Sequence, residues 1–236
     1  MRVLGIDTSG YANAVGIVAG NRVLADFNFE ARTDSLEKIV TNIDLVLKKA
    51  GLSLGDIDGF GVGLGPGSWT GIRVGVTVGK ILAYSHKKPI AGVSTLEALA
   101  YNARKTPNLI CPIIYAGARD TVYAAFYRSR NDAISREGEY YVGDILTLAK
   151  MVKESVVFVG AGVKTYIQSV VPVLGSSADI AAIEDVPKGA VVALLAAVRL
   201  ERGDSDDVLS LAPLYLKEST AKAFVNKYSR VAQAKG

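Results

Sequence analysis

The chain has 236 residues, of which 50% are hydrophobic and 21% charged, and its formal net charge is +4. This composition excludes a disordered chain, and the longest apolar run, residues 190–198, is too short to cross a bilayer, so no membrane association is expected. A single cysteine, Cys111, excludes an internal disulfide framework and favours a cytoplasmic location.

The chain opens with three predicted strands. They are expected at residues 3–6, 14–19 and 23–29. A two-residue turn at 20–21 joins the last two, so the group is an antiparallel meander. A helix over residues 34–50 follows, because Asp34 and Glu37 have the capping-box spacing and apolar residues recur at three- and four-residue steps.

Strands and helices alternate in the next part of the chain. Strands are expected at residues 60–64 and 89–93, and helices at 71–86 and 94–104. Ser94 and Glu97 form a second capping box at the start of the last helix. A polar break at residues 105–108 then marks a boundary between a first lobe, residues 1–105, and a smaller second lobe, residues 106–217.

The second lobe repeats the strands-first order of the first. Strands are expected at residues 110–115, 122–128, 138–142 and 156–159, and helices at 144–154, from 163 onward and at 188–202. Two halves of this kind predict a duplicated mixed α/β architecture. The antiparallel start excludes a plain Rossmann domain, in which strands and helices alternate from the beginning.

The basic excess lies at the C-terminal end. Residues 217–236 hold five basic side chains and one acid, whereas the other 216 residues hold 22 of each sign. Residues 218–236 are therefore a separate basic tail. It either contacts phosphate groups or is a solvated chain end.

A glycine-rich segment, GPGS at residues 65–68, connects the strand at 60–64 to the following helix. Exposed backbone N–H groups at such a turn suit an anion, but neither standard nucleotide-binding glycine motif is present. The segment is therefore either a structural turn or a phosphate cradle. In the second case the nucleotide-binding residues would be Asp7, Thr8, Ser9, Gly65, Gly67 and Ser68.

Three glycines form a stripe along the helix at 71–86. Gly71, Gly75 and Gly79 lie four residues apart, and each costs about 1 kcal/mol of helix stability relative to alanine. Close approach by another element is the usual compensation. That element is either the protein's own sheet or a partner.

The sequence contains few histidine and cysteine residues, two types that often act in catalysis or bind metals. His86 is the only histidine, and together with Cys111 it cannot make a His/Cys metal site or a supported Ser-His-Asp triad. We therefore expect no catalytic residues and no metal site.

Several motifs resemble those of the TsaB (YeaZ) family. The hallmark is GPGSWTGIRVG at residues 65–75, with Trp69 where the family usually has Phe, and it is supported by GIDTS at 5–9 and GVSTLEALA at 92–100. Weaker matches are VGAG at 159–162 and PLYLK at 213–217.

The resemblance implies a two-lobed actin/Hsp70/sugar-kinase-like α/β fold (ASKHA, ribonuclease H-like) with mixed sheets. It further implies a non-catalytic scaffold subunit that binds and activates a TsaD-type catalytic subunit, beside a TsaE-type ATPase, for threonylcarbamoylation of the tRNA adenosine next to the anticodon. Helices 34–50 and 71–86 would form the contact with TsaD, or with a second copy in a homodimer. The expected interface residues are Leu36, Ile39, Val40, Ile43, Leu47, Gly71, Ile72, Gly75 and Gly79.

The alternative is a small ATP-dependent kinase or ATPase of the same fold. Asp7 would then hold Mg²⁺, the loop at Gly65 would bind phosphate, and residues 159–162 would supply a second phosphate loop. ATP or ADP with Mg²⁺ at the complex interface is the cofactor this resemblance leaves open. The chain also departs from the family, with RTDS at residues 32–35 in place of Arg-x-His-Ser and GAR at 117–119 in place of Asp-Ala-Arg.

Overall fold

The computed structural model describes residues 1–10, 12–30, 38–117, 120–174, 180–183 and 186–217. Within these ranges, ten strands form two five-stranded sheets, and six α-helices pack on them. The first sheet contains β1 (Arg2–Asp7), β2 (Ala12–Ala19), β3 (Arg22–Glu30), β4 (Gly59–Gly63) and β5 (Ile90–Val93). Its order is β3-β2-β1-β4-β5; the first three strands are antiparallel, and β4 and β5 run parallel to β1.

The second sheet repeats this topology. It contains β6 (Leu109–Tyr115), β7 (Thr121–Arg130), β8 (Ala133–Asp144), β9 (Val156–Val159) and β10 (Ile180–Ile183), in the order β10-β9-β6-β7-β8. Again a three-stranded antiparallel meander is extended by two parallel strands. The predicted duplicated mixed α/β architecture is therefore confirmed.

The first sheet is covered on both faces. The α-helices within the described ranges are α1 (Ile39–Ala50), α2 (Trp69–His86), α3 (Thr95–Asn102), α4 (Ile145–Met151), α5 (Val163–Leu174) and α6 (Gly189–Glu201). The face that presents Leu4 and Ile6 packs against α1 and α2, and the opposite face packs against α6. Gly5 and Gly16 let the start of α6 touch the strands, since a Cβ on either would meet backbone atoms of that helix.

Two helices pack on a sheet other than the one whose strands come directly before them in the chain. Leu96 and Leu99 of α3, which follows the first sheet, lie in the core of the second sheet with Ile110 and Tyr127. Conversely, α6 follows the second sheet but packs on the first. The lobe boundary at residue 105 stays a prediction, and the packing of α3 and α6 does not follow it.

Residues 204–216, here called the C-terminal strap, lie along the outer edge of the first sheet. Asp206 accepts a hydrogen bond from the N–H of Gly92 at 2.7 Å and donates its own N–H to the carbonyl of Ile90 at 2.8 Å. The Arg199 guanidinium bonds the Gly92 carbonyl at 2.9 Å and Asp206 at 3.0 Å. The strap therefore closes the free edge of β5.

Besides differences at element ends, such as β8 beginning at Ala133 and not at residue 138, local details differ from the sequence predictions in three places. The helix predicted from residue 34 is described from Ile39, and its capping box at 34–37 lies outside the described residues. Ser94 starts α3 without a side-chain cap, because its hydroxyl points to the Gly65 carbonyl, so that predicted capping box is wrong. β10, a run of four small and apolar residues, was not predicted. Among the described helices, none combines the length and apolarity needed to cross a bilayer.

Candidate functional site: a closed glycine loop and an exposed helix face

The turn after β1 holds a buried carboxylate. Asp7 Oδ1 accepts hydrogen bonds from the N–H of Ser9 at 2.8 Å and from its hydroxyl at 2.5 Å, and Oδ2 accepts one from the Thr95 hydroxyl at 2.8 Å. Burial raises the pKa of Asp7 above its ordinary value, and these hydrogen bonds oppose that rise. The carboxylate is therefore enclosed and paired within the protein.

The glycine-rich loop closes over this turn. The N–H of Ser68 donates to the Ser9 carbonyl at 2.7 Å, and the Gly65 carbonyl accepts the N–H of Thr95 at 2.8 Å. A Cβ on Gly67 would meet the Ser9 carbonyl, so only glycine permits this approach. Ser68 also caps α2 by accepting the N–H of Gly71 at 3.2 Å.

The structure thus brings together all six residues predicted to bind nucleotide, and their hydrogen bonds join them to one another and to Gly71, Ser94 and Thr95. A phosphate and Mg²⁺ would need Asp7 oxygens and loop N–H groups that point into open space. In the described part of the chain those oxygens face Ser9 and Thr95, and Gly63 lies directly against the Asp7 carboxylate. The Asp7 carboxylate is therefore not open to a Mg²⁺-bound nucleotide in this arrangement.

The second predicted phosphate loop packs closely against β6. Gly160 follows β9 with a positive φ, and a Cβ on Gly160 or Gly162 would press on the Ile113 carbonyl. The glycines here allow α5 to start close to β6.

The glycine stripe of α2 faces the protein's own core. A Cβ on Gly71 or Gly75 would meet Thr8, and one on Gly79 would meet Val62 of β4. The Thr8 hydroxyl also donates to the Gly71 carbonyl at 2.6 Å. The stripe was interpreted as facing either the protein's own sheet or a partner, and in the structure it packs against the first sheet.

This packing corrects the predicted partner interface. Ile39, Ile43 and Leu47 of α1 are buried in the core beneath that helix, and Ile72 of α2 is buried as well. They cannot present side chains to a partner, because their apolar face covers the sheet. Of the predicted set, Val40 is exposed, and Leu36 lies outside the described residues.

The opposite sides of α1 and α2 carry large exposed apolar side chains, of which only Val40 was among the predicted interface residues. Val40 is 64% exposed, Ile81 60% and Tyr84 68%, and Leu45 is also exposed. We call these four residues the α1–α2 outer face. Their positions could have been found as the complement of the buried helical periodicity.

A second exposed group lies at the start of α2. The Trp69 and Tyr215 ring centroids are 4.3 Å apart, and the Arg73 guanidinium carbon lies 4.4 Å from the Trp69 centroid. The Arg73 Nε–H donates to the Tyr215 hydroxyl at 3.0 Å. We call Trp69, Arg73 and Tyr215 the Trp69 cluster. Because Tyr215 comes from the strap, spacing along the chain could not reveal it.

Solved structures with the same arrangement place the fold in a known class. YeaZ from Pseudomonas aeruginosa superposes with a TM-score of 0.76 at 22% identity, covering 91% of this chain and 99% of its own. A ROK hexokinase from Thermus thermophilus gives a TM-score of 0.52 at 13% identity, covering 85% of this chain and 100% of its own. The protein therefore has the two-sheet actin/Hsp70/sugar-kinase-like fold.

Sequence comparison identifies the family to which this chain belongs within that fold class. Residues 29–223 match the family model described as TsaD, tRNA N6-adenosine threonylcarbamoyltransferase. The tRNA threonylcarbamoyladenosine biosynthesis protein TsaB of Bacillus subtilis (strain 168) is 30% identical over 227 residues, which are 94% of this chain and 97% of the relative. This chain belongs to the TsaB family, as its GPGSWTGIRVG motif indicated.

Proposed function

We propose that this protein is a non-catalytic subunit in tRNA threonylcarbamoyladenosine biosynthesis that binds and activates a TsaD-type catalytic subunit through the α1–α2 outer face. The observation that carries the proposal is the exposure of Val40, Ile81 and Tyr84 on the two helices that cover one face of the first sheet. Exposed apolar groups of this kind are typical of protein–protein interfaces.

The state of the Asp7 turn supports a binding role over the alternative, a small kinase or ATPase. An ATP site of this fold class needs an accessible carboxylate and free loop N–H groups. Here Asp7 is buried and bonded to Ser9 and Thr95, and the glycine loop lies on the same turn. Within the described residues, no group of three His, Cys, Asp or Glu side chains could hold a metal ion.

Further parts of the proposal come from the family. A TsaE-type ATPase and the tRNA substrate would join through the complex, which would work in the cytoplasm. In the absence of TsaD, the same outer face would pair two copies of this chain, because an exposed apolar surface favours any partner that covers it.

A substitution in the outer face tests the interface. Ile81→Asp places a charge in the proposed contact, and we expect the dissociation constant for a TsaD-type subunit to rise about thirtyfold or more, as for an interface hot spot. Calorimetric titration of the purified subunits measures this. The matched control is Val198→Asp, an equally simple change at an exposed site of α6, on the opposite face of the sheet. Equal affinity of Ile81→Asp and the native protein would contradict the proposal.

The enzymatic alternative has its own test. We expect no ATP turnover by the purified protein with Mg²⁺, and the Asp7→Asn variant to behave identically. ATP hydrolysis that disappears in Asp7→Asn would establish the kinase or ATPase reading instead.

A further inference from the structure

Leu209 in the C-terminal strap is the most exposed large apolar side chain among the described residues, with 75% of its surface open to solvent. It lies between two points at which the strap is attached. Asp206 pairs with Ile90 at the edge of β5, and the N–H of Leu214 donates to the Leu64 carbonyl at 2.8 Å. The exposed leucine therefore belongs to a segment that is fixed to the first sheet on both sides, and it forgoes the stabilisation that burial would give.

A compact turn holds Leu209 in one position. The Asp207 carboxylate accepts the N–H of Leu209 at 3.0 Å and the N–H of Ser210 at 2.7 Å. The N–H of Leu211 donates to the Asp207 carbonyl at 2.9 Å. Val208 and Leu211 pack against the core beneath α1 and α2, so the leucine between them is the one that points outward. We call residues 207–211 the Leu209 turn.

Helix α2 supports this turn directly. The Lys80 ammonium group donates to the carbonyls of Leu209 and Leu211 at 2.9 Å each. Lys80 and Tyr84 are four residues apart and thus lie on the same side of the helix. The Leu209 turn therefore adjoins the α1–α2 outer face, and the exposed apolar surface of the two helices continues onto the strap.

The fixed position of Leu209 favours binding. A partner that has to order a loose loop loses part of the interaction free energy in doing so, whereas a segment that is already ordered avoids that loss. Here the Asp207 carboxylate and the Lys80 ammonium group order the turn in the free protein. An exposed leucine presented in this way can enter an apolar pocket without further ordering.

Charge around the turn indicates the kind of partner. Residues 69–88 contain four basic side chains and no acidic one. Hydrogen bonds from Ser210 and Leu209, together with the nearby Lys80 ammonium group, hold the pKa of Asp207 below its ordinary value, so this acid stays ionised and is balanced by Lys80. Two copies of the chain paired about a twofold axis would place like charges against each other. A different protein, with acidic side chains at its contact surface, is therefore favoured over a second copy.

We propose that the Leu209 turn is part of the surface that binds the TsaD-type subunit. Leu209 enters an apolar pocket of that subunit, and acidic side chains at the rim of the pocket face the basic side chains of α2. This role depends on the proposed function, because it extends the α1–α2 outer face by a third element, the strap. The strap then serves both to close the edge of β5 and to bind the partner.

Leu209→Ser tests the contact. We expect the dissociation constant for a TsaD-type subunit to rise about tenfold, equivalent to about 1.4 kcal/mol, because the complex loses the burial of one leucine side chain. Calorimetric titration of the full-length protein measures this, and thermal melts show that the variant is folded. The matched control is Leu146→Ser, which changes an exposed leucine on α4, a helix that packs on the second sheet, and should leave the affinity unchanged. Native affinity of Leu209→Ser, or an equal loss in Leu146→Ser, would overturn the proposal.

Lys80→Met tests the fixed position of the turn. Methionine keeps an unbranched apolar chain but cannot donate to the two carbonyls, so we expect the dissociation constant to rise about threefold as the turn loosens. In the Leu209→Ser background the same change should have almost no effect, because no leucine is left to position. Additive losses would show that Lys80 acts independently of Leu209 and would contradict the role assigned to the turn.

The charge of the surface predicts a salt dependence. Affinity for the TsaD-type subunit should fall as ionic strength rises, because salt screens the attraction between exposed opposite charges. Titration of the native protein at low and high salt measures this. An affinity that does not change with salt would exclude the acidic rim.

Ile81→Asp separates this role from the proposed function. If Ile81→Asp weakens binding of the TsaD-type subunit and Leu209→Ser does not, the α1–α2 outer face binds alone; the role of the Leu209 turn is then wrong and the proposed function stands. If neither variant weakens binding, both fail. Sedimentation velocity of the free protein tests the second copy as occupant. Loss of self-association in Leu209→Ser, with native affinity for the TsaD-type subunit, would assign the turn to a contact between copies and overturn the proposal.

Discussion

The inner and outer sides of α2 have the same spacing and opposite chemistry. Gly71, Gly75 and Gly79 recur every four residues on the side that touches Thr8 and Val62. Trp69, Arg73, Thr77 and Ile81 also recur every four residues, two positions away and thus on the opposite side of the helix, and all are exposed. A four-residue repeat therefore identifies one side of a helix, but it does not show whether that side faces the protein's core or the solvent. Here the small residues lie against the protein's own sheet, and the large ones face outward.

The largest expected effect comes from filling the inner side. Gly75→Leu would place a side chain against the Thr8 hydroxyl, so we expect a loss of about 3 kcal/mol or more of unfolding free energy, or failure to fold, despite leucine's better helix propensity. Urea denaturation measures the change. Thr77→Leu adds a similar side chain to the outer side of the same helix and should alter stability by no more than about 0.5 kcal/mol. Equal stability of the two variants would show that the sides do not differ.

A smaller effect is expected from loosening the inner contact. Thr8→Val removes the buried hydrogen bond to the Gly71 carbonyl and should cost about 1–2 kcal/mol. Thr77→Val, which changes an exposed hydroxyl, is the matched control. A Thr8→Val protein as stable as the native one in urea denaturation would mean that this bond does not hold α2 to the β1 turn.

The smallest expected effect is a pH dependence at Asp7. Burial raises its folded-state pKa above the ordinary value of 3.8, so the folded state binds the proton more tightly than the unfolded state does. The stability that the Asp7 proton gives the native protein is therefore lost as the pH rises from that ordinary value through the raised pKa. Asp7→Asn cannot ionise, so its stability relative to the native protein should increase across this range and then level off. Urea midpoints of both proteins at a series of pH values test this, and a constant difference would contradict it.

The sequence predicted most of the local structure because its signals are local. The meander followed from the spacing of strands and turns, and the glycine motif indicated the family. The periodicity of α1 was read correctly, but Ile39, Ile43 and Leu47 were assigned to a partner although a core sheet accepts the same pattern. A helix face buried in the protein's own core and a helix face buried at an interface with another chain show the same apolar repeat.

The missed features depend on contacts between distant parts of the chain. The hydrogen bond between Arg73 and Tyr215 joins residues 142 positions apart. The packing of α3 on the second sheet and of α6 on the first has no signature in the local sequence. The closed state of the Asp7 turn depends on Thr95, 88 positions away. A turn whose carboxylate is hydrogen-bonded within the protein and a turn whose carboxylate binds Mg²⁺ can have the same sequence. They differ in the groups that surround the carboxylate.

The late position of α6 in the chain has a consequence for synthesis. One face of the first sheet, with Val3, Val18 and Ala91, stays uncovered until residues 189–201 have left the ribosome, and the edge of β5 stays open until Asp206 follows. A nascent chain that ends near residue 105 would therefore expose an apolar sheet face and an unpaired strand edge, both of which favour aggregation. The first sheet therefore cannot finish folding while the amino-terminal half emerges, and both of its faces are covered only after α6 has been synthesised.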